Sequence, residues 1–274
     1  MFRASCFGFR VLLLLIFCTT SLYAANNFSA KNTRKSASKP FVTPEQDIPI
    51  GEHLIYDVSW MGVPVGTGEL RVEKTKLHGR DCYHVTAIAE TNEFLSKIYP
   101  VHDEVHSWID GETLQSLQFQ KKVSEGFYRA NEIVRYDAEK KKGFYESLKN
   151  GTKKEFDVSV PIHDILSAFY WVRRQPLVIG KPFKTMVNSD EKDWDLEMDV
   201  LRHEAQELRG QGVFDAVLIE PKTRLKGILE KRGRVWIHLN NDKLRVPILI
   251  IFKTPFGLVT GVIKKGIIRN PRLT

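Results

Sequence analysis

Cysteine is scarce in this sequence: three residues in 274, two of them, Cys6 and Cys18, within the first eighteen. A chain that loses its leader keeps only Cys82, and one thiol makes no internal disulfide. Disulfide-stapled folds are therefore excluded. Cys82 sits in a strand-like stretch, Arg80 to Val85, and is expected to be a buried, inert thiol, because a reactive one needs an electropositive, exposed setting. Long apolar runs are also lacking. After Cys18 no stretch of about 18 apolar residues follows, so no helix of the mature chain is expected to span a bilayer.

Motifs of chemistry are sparse too. Ser167 lacks the flanking glycines of a nucleophile elbow. Gly180, Gly210, Gly212 and Gly257 fall in loops without phosphate-loop spacing. His102-Asp103-Glu104-Val105-His106 departs from the zinc-protease pattern, because Asp103 stands where Glu is required. On a strand, His102 and His106 lie about 13 Å apart, too far for one metal ion. His78 and His84 flank a turn and read as surface or half-buried residues. No catalytic residue, cofactor or metal site is expected. An enzyme acting on envelope polymer is left only the route of a site assembled from scattered strands.

What is present begins at the N-terminus. Arg3 and Arg10 precede the apolar run Val11 to Cys18, and small residues around Ser21 to Ala25 offer a cleavage site. This is the pattern of a secretory signal peptide over 1–24. An uncleaved anchor is the alternative; lipidation at Cys18 is disfavoured by the bulky Phe17 before it. Residues 25–48 are polar and rich in Lys, Ser and Asn, a composition that reads as a flexible linker.

Charge is divided unevenly. The chain carries +8. Residues 222–274 hold thirteen basic and two acidic residues, whereas 49–221 sum to −7. The basic end, including the tail 265–274, suits peripheral contact with an anionic membrane surface. It equally suits neutralisation within the domain or an ordinary solvated face. The expected export and the lack of a recognised motif argue against nucleic acid.

The rest alternates. Leu54, Tyr56, Val58 and Trp60 are spaced two apart, as on a strand. Further strands are expected around 70–72, 83–89, 101–109, 114–123, 128–136, 144–148 and 156–160, with a short helix over 93–99. Turn signals between them favour antiparallel connections. Ile162, Ile165, Leu166, Phe169, Tyr170 and Val172 have helical spacing, with Pro161 at the start, Asp164 in the first turn and Pro176 beyond the end. Asp164 and Arg173 are nine residues apart, about 180° around a helix, so each should cap an end or reach the sheet. Strands follow at 183–187, 194–200, 214–219, 234–239 and 246–252, the last apolar on both faces. Two β series around one helix fit a mainly β fold: a large curved antiparallel sheet or open β-barrel of about ten or more strands.

Several segments, in order, resemble the DUF3108 family of exported bacterial proteins: Gly51 to Tyr56, Trp60 to Gly66, Ser107 to Asp110, Asp164 to Arg173, and Trp236 to Pro247. The resemblance spans most of 49–264. It implies a periplasmic or surface protein with a β-rich, barrel-like fold and no established reaction; outer-membrane association and secretion are the alternatives to a periplasmic location. Tyr56, Trp60, Trp108, Tyr170 and Trp236 are the aromatic candidates for a ligand-binding lining, since such barrels can hold an apolar ligand. The leading expectation is a non-catalytic module binding a lipid, an acyl chain of a lipoprotein, or a glycan in envelope assembly or maintenance. The alternative is a structural protein docking on an envelope partner or membrane through its basic C-terminal segment.

Overall fold

A computed structural model describes residues 48–223 and 233–264. The expected signal peptide, all of the expected linker except Ile48, most of the turn-like stretch 229–234 and the tail 265–274 lie outside the described residues.

The first strand, β1 (His53–Trp60), shows why these residues pair as they do: Leu54, Tyr56 and Val58 are buried, and the residues between them are less so. From it a meander runs outward through β2 (Val63–Leu77), β3 (Arg80–Thr91), β4 (His102–Asp110), β5 (Ser116–Glu125), β6 (Tyr128–Asp137), β7 (Lys142–Ser147) and β8 (Lys153–Asp157). The short helix α1 (Glu93–Ser96) lies between β3 and β4. Helix α2 (Ile165–Val172) follows β8. A second meander then returns through β9 (Phe183–Ser189), β10 (Lys192–Leu208), β11 (Gly212–Thr223), β12 (Arg234–Asn240), β13 (Pro247–Thr254) and β14 (Gly257–Ile263). β14 docks antiparallel on β1, with Tyr56 opposite Ile263, so the described strands form one 14-stranded sheet with β8 and β9 at its edges.

Three expectations need correction. β14 was not anticipated, because Gly257 and Gly261 interrupt its apolar pattern; it is nonetheless the strand that joins the two series. Ile48, assigned to the linker, is 1% exposed and belongs to the core. Pro161 does not start the helix. Asp164 is the N-cap, and its Oδ1 accepts from the N–H groups of Leu166 (2.7 Å) and Ser167 (2.9 Å). These first-turn donors have no partner within the helix, and the Asp164 side chain supplies one. The residues after Pro161 are instead tied to the sheet: Ile162 accepts from Ser116 N and donates to Gln115 Oε1.

α2 plugs the concave side. Leu166 and Tyr170 join the largest apolar cluster, Val172 a second and Ala168 a third. A helix apolar around most of its circumference must be buried on most sides. Each large aliphatic side chain buried this way contributes roughly 1.5–3 kcal/mol relative to exposure. β13, apolar on both faces in sequence, is covered on both: Ile248 and Phe252 are buried, as is Leu249, which points the other way.

The inner face of β5–β8 is different. Lys121 lies directly opposite the buried Val105 in the β4–β5 register and so points inward. Over this polar surface folds the β9–β10 turn. Asp190 and Glu191 both have positive φ, 51° and 62°, as a two-residue hairpin turn of the primed type requires. Glu191 meets Lys154 at 2.7 Å, Asp190 meets Lys121 at 3.8 Å, and Tyr136 donates to Asn188 at 3.2 Å. The sheet is thus held in a barrel-like curl by side chains rather than by an edge-to-edge ladder.

Candidate functional site

Two polar constellations stand out, one sealed in the core and one open at the end of the sheet.

The sealed one joins segments far apart in sequence. Arg173, the C-cap of α2, forms a bidentate pair with Glu52, at 2.6 and 2.8 Å. Its guanidinium also donates to the Leu244 carbonyl at 2.7 Å. Tyr170 donates to Glu52 at 2.8 Å, and Tyr56 donates to the Pro247 carbonyl at 2.9 Å. Burial pushes both tyrosine hydroxyls far above their ordinary pKa, with the Glu52 carboxylate adding to the effect. At the other end of the helix Asp164 Oδ2 accepts from Ser107 and Ser116, both at 2.5 Å. Burial raises the Asp164 carboxyl, against the pull of these four donors. Asp164 and Arg173 therefore do cap the two ends of α2 and bind the sheet. With its donors and acceptors matched and the groups a few per cent exposed or less, the network serves to lock helix to sheet.

The open constellation lies where the β2–β3, β4–β5 and β6–β7 turns meet. They enclose a pocket of ≈ 600 Å³, within the usual range for small-molecule sites. Its charged lining comes from Lys74, Arg80, Asp81, Asp110, Glu112 and Glu139, with Thr113, Gln115 and Ser116 adding hydroxyl and amide groups. Tyr83, Tyr136 and Leu117 supply the apolar part. Asp110 is held in place by Thr113, whose N–H and hydroxyl donate to it at 2.8 and 2.9 Å. Burial pushes its carboxyl up, but these donors together with Arg80, 3.7 Å away, bring it below the ordinary value. A fixed carboxylate beside an exposed guanidinium can orient a ligand rich in hydroxyls or charge.

The five aromatic candidates are not gathered round this pocket. Tyr56 and Tyr170 come together in the sealed network. Trp60 is 44% exposed at the end of β1, with Nε1 donating to the Phe256 carbonyl. Trp108 stacks on His84 on the outer face, with centroids 4.6 Å apart and planes at 12°. Trp236 lies under the Arg234 guanidinium, 4.6 Å away. The dispersion follows from strand alternation: Trp108 and Trp236 fall on the face opposite the core. The pocket residues were legible only as turn residues, for instance Asp110-Gly111-Glu112. That alternate hairpins stack three such turns at one end is a property of the meander.

His102, Glu104 and His106 lie on strand β4, as expected. His106 Nδ1 sits 3.0 Å from His84 Nε2, and Glu104 accepts from Lys122. Among the described residues no group of His, Cys, Asp or Glu is arranged to hold a metal ion. Cys82 is buried, and burial pushes its thiol up.

Fold and site together define an open, barrel-like β domain plugged by one helix, with a polar pocket at its end. The chain belongs to the DUF3108 family, described as proteins of unknown function, whose model matches residues 55–264. Among solved structures it is similar to the beta-barrel-like protein of domain of unknown function DUF1849 from Brucella abortus. That likeness has a TM-score of 0.54 at 10% identity and covers 80% of this chain and 98% of the other; it bears on the fold alone. No curated protein matches the chain.

Proposed function

We propose that the protein is an exported, non-catalytic binding module of the bacterial envelope, and that its ligand is polar, of the glycan class, rather than an acyl chain. The observation that carries this is the contrast between the two interiors. Among the described residues, the concave side of the sheet is packed by α2 and by Leu54, Tyr56, Val85 and Ile109 around it. The open pocket is lined by Arg80, Asp110, Glu112 and Glu139, with Tyr83 and Tyr136 also in its wall. Charged hydrogen-bonding groups of this kind suit a ligand rich in hydroxyls. The leader-like N-terminus and the exported character of the family it resembles support the compartment.

Native mass spectrometry of protein purified from its own host tests the reading. Retained mass should correspond to a saccharide-containing species, and Arg80→Ala with Glu112→Ala should lose it while keeping the wild-type melting temperature. A retained lipid, or protein without ligand that binds no envelope glycan in calorimetry, would refute the assignment.

A further inference from the structure

The two ends of the sheet differ in chemistry. At the end opposite the pocket, four turns lie side by side in sheet order: β5–β6, β3–β4 with α1, β1–β2 and β13–β14. Their tips are apolar and stand in water: Phe127 at 108% exposure, Ile98 at 73%, Phe94 at 71% and Met61 at 63%, with Trp60 and Phe256 beside them. At the pocket end the β2–β3, β4–β5 and β6–β7 turns contribute no large exposed hydrophobic residue, and the β10–β11 hairpin contributes Val213.

The tips form one rim. Asn92 donates to the Pro64 carbonyl, Gly126 N to the Pro100 carbonyl, and Met61 N to the Leu258 carbonyl. They are protrusions on separate turns, not the floor of a groove. Arg129, Lys149 and Lys253 are exposed around them, as are Glu90 and the Lys97–Glu93 ion pair. Lys149 Nζ reaches the Arg129 carbonyl, which places the β7–β8 turn at the same end.

We propose that this rim docks the protein on a bilayer, with the aromatic and aliphatic tips entering the headgroup layer of an anionic membrane. The match is chemical: Trp and Phe at the water–hydrocarbon boundary, backed by cations facing anionic lipid. A groove-binding protein partner fits a set of separate protruding tips less well. Docking by the rim turns the pocket away from the membrane. Lys264, bonded through its N–H to Ile55 and ion-paired with Asp57, lies beyond the Tyr56–Ile263 pair, away from the rim. Docking by the rim does not depend on what the pocket holds.

Sedimentation of the mature chain, residues 25–274, with vesicles of phosphatidylglycerol and phosphatidylethanolamine is the test. The double variant Phe94→Ser/Ile98→Ser and the single variant Phe127→Ser should each lower partitioning by about tenfold or more. Val213→Ser, on the β10–β11 hairpin away from the rim, should leave it unchanged, and added salt should weaken it. Brominated lipid should quench tryptophan emission less in Trp60→Phe than in the parent. Melting temperatures check that each variant is folded. The proposal is overturned if the parent does not partition, or if the rim variants partition as the parent does. It is also overturned if deletion of 265–274 abolishes partitioning while the rim variants retain it, or if the rim captures a protein partner without binding vesicles.

Discussion

Arg173 and Glu52, 121 residues apart in sequence, meet in a two-pronged ion pair with both side chains 3% exposed or less. One belongs to the C-terminal cap of α2 and the other to the entry of β1, so the pair fastens the plug to the centre of the sheet.

Removing one partner leaves the other as a buried uncompensated charge, at a cost of roughly 3–5 kcal/mol. Arg173→Met alone and Glu52→Leu alone are therefore expected to lower the melting temperature by on the order of 10 °C in a domain of this size. The double variant should recover much of that loss, because replacing a buried pair by apolar groups is often near neutral. Calorimetry of the three variants reads the outcome; a loss in the double variant equal to the sum of the two single losses would mean the pairing itself contributes nothing.

His163 makes stability pH-dependent. Burial lowers its pKa to about 4, whereas an unfolded histidine titrates near 6.5. A depressed folded value means that the unfolded state binds the proton first, so stability from this residue is complete above the unfolded pKa. It is lost as pH falls from about 6.5 towards 4, by on the order of 3 kcal/mol. Urea titrations from neutral pH to pH 4 should show a flatter slope in His163→Gln than in the parent. Identical slopes would exclude His163 as the acid-sensitive group. Burial also lowers His84 and His106, and both act in the same direction in parent and variant alike.

Gly66 and Gly68 give a paired comparison on one strand. A Cβ on Gly66 would overlap the Glu90 carbonyl of β3, whereas one on Gly68 would meet Tyr56 and Val58 at an ordinary 3.8 Å. Gly66→Ala should cost about 2 kcal/mol or more, because the clash is with backbone in a central strand pair. Gly68→Ala should be nearly neutral. Denaturant unfolding at equal slope separates the two, and similar midpoints would show that β2 and β3 can move apart there.

Most strands were legible because side chains alternate: Leu54, Tyr56 and Val58 announce β1 without any partner in view. The short α1 was legible from the interruption before Pro100, and α2 from its helical spacing. The ends of elements were harder. β10 runs to Leu208, eight residues beyond the expected stretch, because the register shift between Val200 and Arg202 changes which residues face inward and so breaks the simple alternation. β14 was hidden by its glycines. The site was less visible than the fold. An aromatic on a strand looks the same in sequence whether it faces the core, as Tyr56 does, or the outer surface, as Trp108 does.

By itself the sequence determined the class of fold and the helix that interrupts it, since these follow from short-range periodicity; it left open whether Asp164 and Arg173 cap that helix or reach the sheet. Only the tertiary structure decided that β14 closes on β1, that Glu52 is the partner of Arg173, and that three turns build the pocket while four others build the apolar rim. Those facts depend on which strands become neighbours. Neighbours in a sheet are set by packing over long separations, which no local pattern of residues records.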